Sequence, residues 1–190
     1  MYRQLQAIIS RTSFALFIIV SSFLPVFSFE GYSVLSNTTS HLGAQGSPYA
    51  WIMNFVFILL GISSILITCP SRLPYNRIFG LLFGLSLILT GVFRHAPLTE
   101  GLDVNQLHDT FHSIFATSTG FSFTLLAAGH AVMSKGAQRN AALGMAIIAI
   151  VVPLAMFSLP TMMGIIQRFM FITAFGWLYF YYKQPKAAGS

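Results

Sequence analysis

Predominantly apolar runs of about 20 residues, the length an α-helix needs to cross the hydrocarbon of a bilayer, recur six times along the chain. They cover 12–29, 49–69, 78–95, 107–133, 141–158 and 164–183. The pattern predicts an all-α polytopic membrane protein built as a six-transmembrane-helix bundle. Turn-forming residues fill the gaps: Pro70-Ser71 and Leu73-Pro74, then Ala96-Pro97, Ser134-Lys135-Gly136 and Leu159-Pro160. The longest gap, 30–48, is polar. Arg3 and Arg11 precede the first run, as in a signal peptide, but no small-residue cleavage site follows Phe29 and Pro25 lies inside the run. The first run is therefore expected to be a retained helix. Pro153 is expected to kink the fifth helix. Gly80 and Gly84, four apart, are expected to let the third helix approach a neighbour closely.

Composition agrees with this reading. The 190 residues are 55% hydrophobic and 7% charged, against about 25% charged in a soluble domain. No stretch has soluble composition, so 1–190 is read as one domain. The single cysteine, Cys69, excludes an internal disulfide and a cysteine-rich metal site.

The net charge of +6 would suggest nucleic acid as a partner in a soluble protein, but here it describes topology. Arg3, Arg11, Arg72, Arg77, Lys135, Arg139, Lys183 and Lys186 all fall on one side of a six-helix arrangement. Glu30, Glu100, Asp103 and Asp109 fall on the other, with Arg94 and Arg168. Positive residues stay inside, so both termini are expected in the cytoplasm, in a plasma membrane. Membrane lipids are then the expected partners, and nucleic acid is not. Homo-oligomerisation and a membrane-protein partner both stay open.

The same partition gathers the candidate chemistry. His41 in the first loop, His95 at the end of helix 3, and His108 and His112 at the start of helix 4 all map to the outer face, beside Asp109, Arg94 and Arg168. Ionisable groups at a membrane are costly, so their convergence is informative. His108 and His112 lie one helical turn apart, a spacing at which two imidazoles can share zinc. His41 or His95 would complete the site, and a water on the metal would start a hydrolysis. Asp109 is the candidate base or the orienting partner of an imidazole, and Arg168 the ion partner of Asp109 or the anchor of a lipid phosphate. Haem held by a pair such as His95 and His112 is the weaker cofactor reading. His130 lies near the cytoplasmic end, about 27 Å from His112 at 1.5 Å per residue, and is expected to be an interfacial histidine.

The run Ser36-Asn37-Thr38-Thr39-Ser40-His41-Leu42-Gly43-Ala44-Gln45-Gly46-Ser47-Pro48-Tyr49-Ala50 resembles prokaryotic six-helix membrane proteins of domain-of-unknown-function family 998. Gly91-Val92-Phe93, Leu107-His108 with His112, and Gly164-Ile165-Ile166-Gln167-Arg168 are similar to the same family. The resemblance implies six helices and a prokaryotic plasma membrane, and no activity. A fainter likeness, at the level of fold, is to ceramidase-type membrane hydrolases, which hold zinc by three histidines but have seven helices and other ligand spacing. Two readings stay open. One is a zinc-dependent hydrolase acting on lipid or another outer-leaflet substrate. The other is a non-enzymatic accessory, sensory or transport-linked protein with a structural polar cluster or a ligand pocket.

Overall fold

A computed structural model describes residues 2–184 of the chain. Lys186 and the side chain of Arg3, both part of the basic set, lie outside the described residues, as do Met1 and 185–190 of the expected domain. The described chain is helical: α1 (Tyr2–Phe23), the single turn α2 (Thr39–Leu42), α3 (Ala50–Thr68), α4 (Pro74–Val92), α5 (Gln106–Met133), α6 (Gly136–Ser158) and α7 (Met163–Gly176). A 3-10 turn at Leu24–Phe27 ends α1, another at Pro160–Met162 leads into α7, and a π-helical segment, Trp177–Tyr181, continues it.

Five segments are long and apolar enough to cross a membrane: Gln4–Phe27, Ala50–Thr68, Pro74–Val92, Gly136–Ser158 and Pro160–Tyr181. The chain is accordingly a multi-pass membrane protein. The helix outside this set, α5, has 28 residues, ample length at about 1.5 Å per residue. Its hydroxyls and histidines lower its apolar character, and it packs on both α4 and α6.

The first helix differs most from expectation. It starts at Tyr2, not at 12, and its α-helical part ends at Phe23, before Pro25. Gln4, Gln6, Ser10 and Arg11 are compatible with helix but invisible to an apolar count. Arg11 therefore lies inside α1, where its guanidinium sits 5.9 Å above the Phe180 ring. The third expected helix is shifted too. Pro74 takes its first position, where a missing N–H costs nothing, and it ends at Val92. Arg94 and His95 thus stand past its end, in an extended segment.

Helices α3 and α4 meet through their glycines. A Cβ on Gly84 would stand 2.7 Å from the Gly61 carbonyl oxygen, and one on Gly91 would stand 2.6 Å from that of Asn54. One on Gly80 would run into the Thr68 side chain. Backbone meets backbone there, as small residues allow. Phe17, Phe57, Phe83, Phe123 and Phe175 fill the centre of the bundle.

α7 and α5 do not pack along each other; α7 rests on α1, α2 and α6. The space left between them is a cavity of about 600 Å³. Ala116, Thr119, Gly120 and Phe123 of α5, Pro153 of α6, and Gln167, Met170, Phe171 and Ala174 of α7 line it. Phe121, Ile150 and Phe157, also in its lining, are exposed on the outside of the bundle. The cavity therefore opens sideways between α5 and α6.

Candidate functional site

The loop between α1 and α3 is held in place by two consecutive residues of α7. The Gln167 Oε1 accepts hydrogen bonds from the Thr39 backbone N–H and hydroxyl, both at 2.8 Å. The Arg168 guanidinium donates to the carbonyls of Val34 at 3.1 Å and Asn37 at 2.9 Å, and to the Tyr32 hydroxyl at 2.7 Å. It also reaches the Ser21 and Gly164 carbonyls. The backbone N–H groups of Gly164 and Ile165, unsatisfied within α7 because they open it, donate to the Leu35 carbonyl. Only glycine fits at 164, since a Cβ there would collide with the Asn37 and Val34 carbonyls.

This arrangement corrects the expected pairing of Arg168 with Asp109. Asp109 instead accepts from the Ala96 N–H at 2.7 Å and fixes the segment after α4. Arg168 is buried and spends its donors on loop carbonyls, where a buried cation is best satisfied. Tyr32, against Arg168, has its hydroxyl pKa raised, burial outweighing the neighbouring positive charge.

The clamped loop delivers His41. Asn37 Nδ2 and the Thr38 backbone N–H point at its Nδ1, at 3.0 and 3.3 Å, so His41 closes the single turn of α2 as the third residue of a capping box. With Nδ1 accepting, the neutral ring carries its proton on Nε2. Burial first, then the charges His95, His112 and Arg168 would present, pushes the His41 pKa down to about 4.

Gln45 joins this loop to the segment between α4 and α5. Its amide donates to the Arg94 and Asn105 carbonyls, its backbone N–H donates to the His95 carbonyl, and its Oε1 accepts from the Asn105 N–H. As a result His95 lies between His41 and His112, with ring centroids 5.1 Å from the first and 5.6 Å from the second. His95 directs Nδ1 at the Ala96 carbonyl. His112 directs Nδ1 at the Phe93 and Thr90 carbonyls, at 2.9 and 3.0 Å. Both carbonyl-bound nitrogens must carry the protons, which leaves an Nε2 lone pair on each ring.

His108 is not in this row. Its ring packs edge-on against Phe93 at 5.5 Å, and its Nδ1 faces the Arg94 N–H. The one-turn spacing of His108 and His112 thus does not bring the two rings together; the His112 ring is turned inward and buried. Among the described residues no three histidine, cysteine, aspartate or glutamate side chains converge on a common metal position. The four-histidine convergence expected from the sequence resolves into a row of three, with one set apart.

Thr39, Ser40 and Gln167 are not among the site residues expected from the sequence. Ser40, Thr90 and Gln167 form the polar end of the cavity between α5 and α7. Ser40 precedes His41, and the Thr90 carbonyl is a hydrogen-bond acceptor for His112. The histidine row and the apolar cavity therefore adjoin. The Gln167-Arg168 pair, polar residues just inside an otherwise apolar helix, was the available signal.

At the other end of α5, in its last turn, His130 is fully buried. It packs against the rings of Trp177 and Tyr182, at 5.6 and 4.5 Å.

The sequence model of a family described as a protein of unknown function (DUF998) matches residues 13–182. No curated protein and no solved structure matches the chain.

Proposed function

Starting from the fact that the chain belongs to the DUF998 family, we propose that it is a six-crossing membrane protein that takes a lipid from the outer leaflet and holds it in the α5–α7 cavity. The side-opening cavity with a polar end carries this reading. A volume of about 600 Å³ lies within the range of roughly 300–1,000 Å³ common for small-molecule sites. Its mouth between α5 and α6 faces hydrocarbon, so an occupant enters from the bilayer. The apolar walls suit an aliphatic chain, and Ser40 and Gln167 suit a polar head.

Topology supports the outer leaflet. Arg72, Arg77, Lys135, Arg139 and Lys183 stand at the end of the bundle opposite the histidine row, and the positive-inside rule then favours the histidine row outside and the termini in the cytoplasm. α5 descends between α4 and α6 and is the sixth crossing.

The test is lipid retention. Gly120 lines the cavity and a Cβ there meets nothing within 4 Å, so Gly120→Phe fills the space without displacing backbone. Lipid extracted from the purified protein and measured by mass spectrometry is expected to fall several-fold in Gly120→Phe. It is expected to be unchanged in Gly144→Phe, where the added side chain also has open space. Equal lipid in wild type and Gly120→Phe rejects the reading.

A second reading has one observation in its favour. His95 and His112 each bind a carbonyl through Nδ1 and keep an Nε2 lone pair, the outer hydrogen bonds that metal-ligating histidines make. These two would hold zinc in a lipid hydrolase, with Asp109 as base. His41 is a third ligand only in its other tautomer, which gives up the bonds from Asn37 and Thr38, and His108 only after leaving Phe93. Metal analysis of protein purified without chelator tests this: stoichiometric zinc, lost in both His95→Ala and His112→Ala, supports it, and no bound metal rejects it.

A further inference from the structure

We propose that the lipid in this cavity carries an uncharged head with a hydrogen-bond acceptor, such as an ester carbonyl, and that Gln167 selects it. This rests on the cavity being a lipid site and adds what the head must be.

The Gln167 side chain has only one useful orientation. Thr39 offers it two donors, both 2.8 Å from Oε1, so the amide cannot turn over without facing donor to donor. Its NH2 group is therefore committed to the remaining direction. Gln167 is about nine-tenths buried and lines the cavity, and among the described residues nothing accepts from its Nε2. The Ser40 hydroxyl, also in the lining, likewise has no partner among the described residues. Two groups able to donate thus line the cavity at one end, where an acceptor such as a carbonyl oxygen is the group they call for.

The same end offers no positive charge to a phosphate. No residue lining the cavity is charged. Arg168, next in sequence, turns to the other side and is spent on the Val34 and Asn37 carbonyls and the Tyr32 hydroxyl. His41 is held neutral by the N–H groups at its Nδ1, in line with its low pKa. An anionic head brought here would be desolvated without a counter-charge, whereas a neutral acceptor exchanges water for two fixed donors.

Monooleoylglycerol and oleoyl lysophosphatidic acid share chain and glycerol and differ in the phosphate, so they isolate the head. Each is titrated into the purified full-length protein in detergent, with bound lipid counted by native mass spectrometry. Wild type is expected to prefer monooleoylglycerol by about tenfold or more. Gln167→Glu keeps an acceptor for Thr39 and replaces the NH2 donor by an oxygen. At about pH 9, where the carboxyl is ionised and donates nothing, with folding checked by thermal unfolding, monooleoylglycerol affinity is expected to fall about tenfold or more. Equal or tighter binding of the lysophosphatidic acid overturns the proposal, as does an unchanged Gln167→Glu. Gly120→Phe separates the two levels of failure. Binding that it blocks, but that favours the anion, leaves the lipid site standing and removes the head selectivity. Absence of binding by both lipids, with no effect of Gly120→Phe, removes both.

Discussion

At the residue scale, the histidine end is organised by hydrogen bonds to backbone rather than by side-chain charge pairs. Arg168 serves several carbonyls of one loop, and Gly164 lets that loop touch the start of α7. Gly164→Ala is expected to cost about 1–3 kcal/mol, since carbonyl oxygens cannot move aside as a flexible side chain can; thermal unfolding in detergent measures it. Arg168→Met removes the guanidinium hydrogen bonds to the Val34 and Asn37 carbonyls, at an expected cost of about 1–3 kcal/mol in all. Proteolysis within 30–48 is expected to speed up, with α3 and α4 still protected. His41 gives a pH dependence with a definite sign. Its folded pKa of about 4 lies below the ordinary 6.5, so below 6.5 the unfolded chain binds a proton that the folded loop refuses. Stability of the loop is therefore full above pH 6.5, declines between 6.5 and 4, and declines no further from this group below 4. An NMR titration of the His41 ring should show a midpoint near 4, and His41→Gln should flatten the hydrogen-exchange change over that window.

At the element scale, two glycines of similar sequence context have opposite roles. Gly84 faces the Gly61 carbonyl across α3 and α4, whereas Gly120 faces open space. Gly84→Ala should lower the melting temperature, because separating two backbones outweighs the gain in helix propensity. Gly120→Ala should leave it unchanged or raise it, the propensity gain being up to about 1 kcal/mol. Apolar length located α3 and α5 to within a residue at each end. It misplaced α1 by ten residues at its start, because a helix continues through Gln4, Gln6 and Arg11 after hydrophobicity has ended. It also carried the third helix past Val92, although Arg94 and His95 are needed outside the helix to meet Gln45 and His112.

At the scale of the whole molecule, α1, α4, α5 and α7 bring the first loop, the 93–105 segment and the cavity to one end. Labelling of introduced cysteines by an impermeant maleimide tests its orientation, in a Cys69→Ala background. Thr99→Cys should react in intact cells, and Lys135→Cys only after the membrane is opened. The opposite result would invert the arrangement. Hydropathy and charge partition, both properties of the linear chain, were enough for the helical membrane fold and for gathering His41, His95 and His112 at one end. A bilayer imposes a fixed length on each span, and basic side chains resist crossing, so depth is nearly a one-dimensional quantity. Position around the bundle is not. That His108 turns to Phe93, that Arg168 holds loop carbonyls and not Asp109, and that a gap between α5 and α7 ends at Gln167 all depend on how helices rotate and pack. Some of those contacts join residues more than a hundred positions apart, as Arg168 and Asn37 are, and only the folded chain decides them.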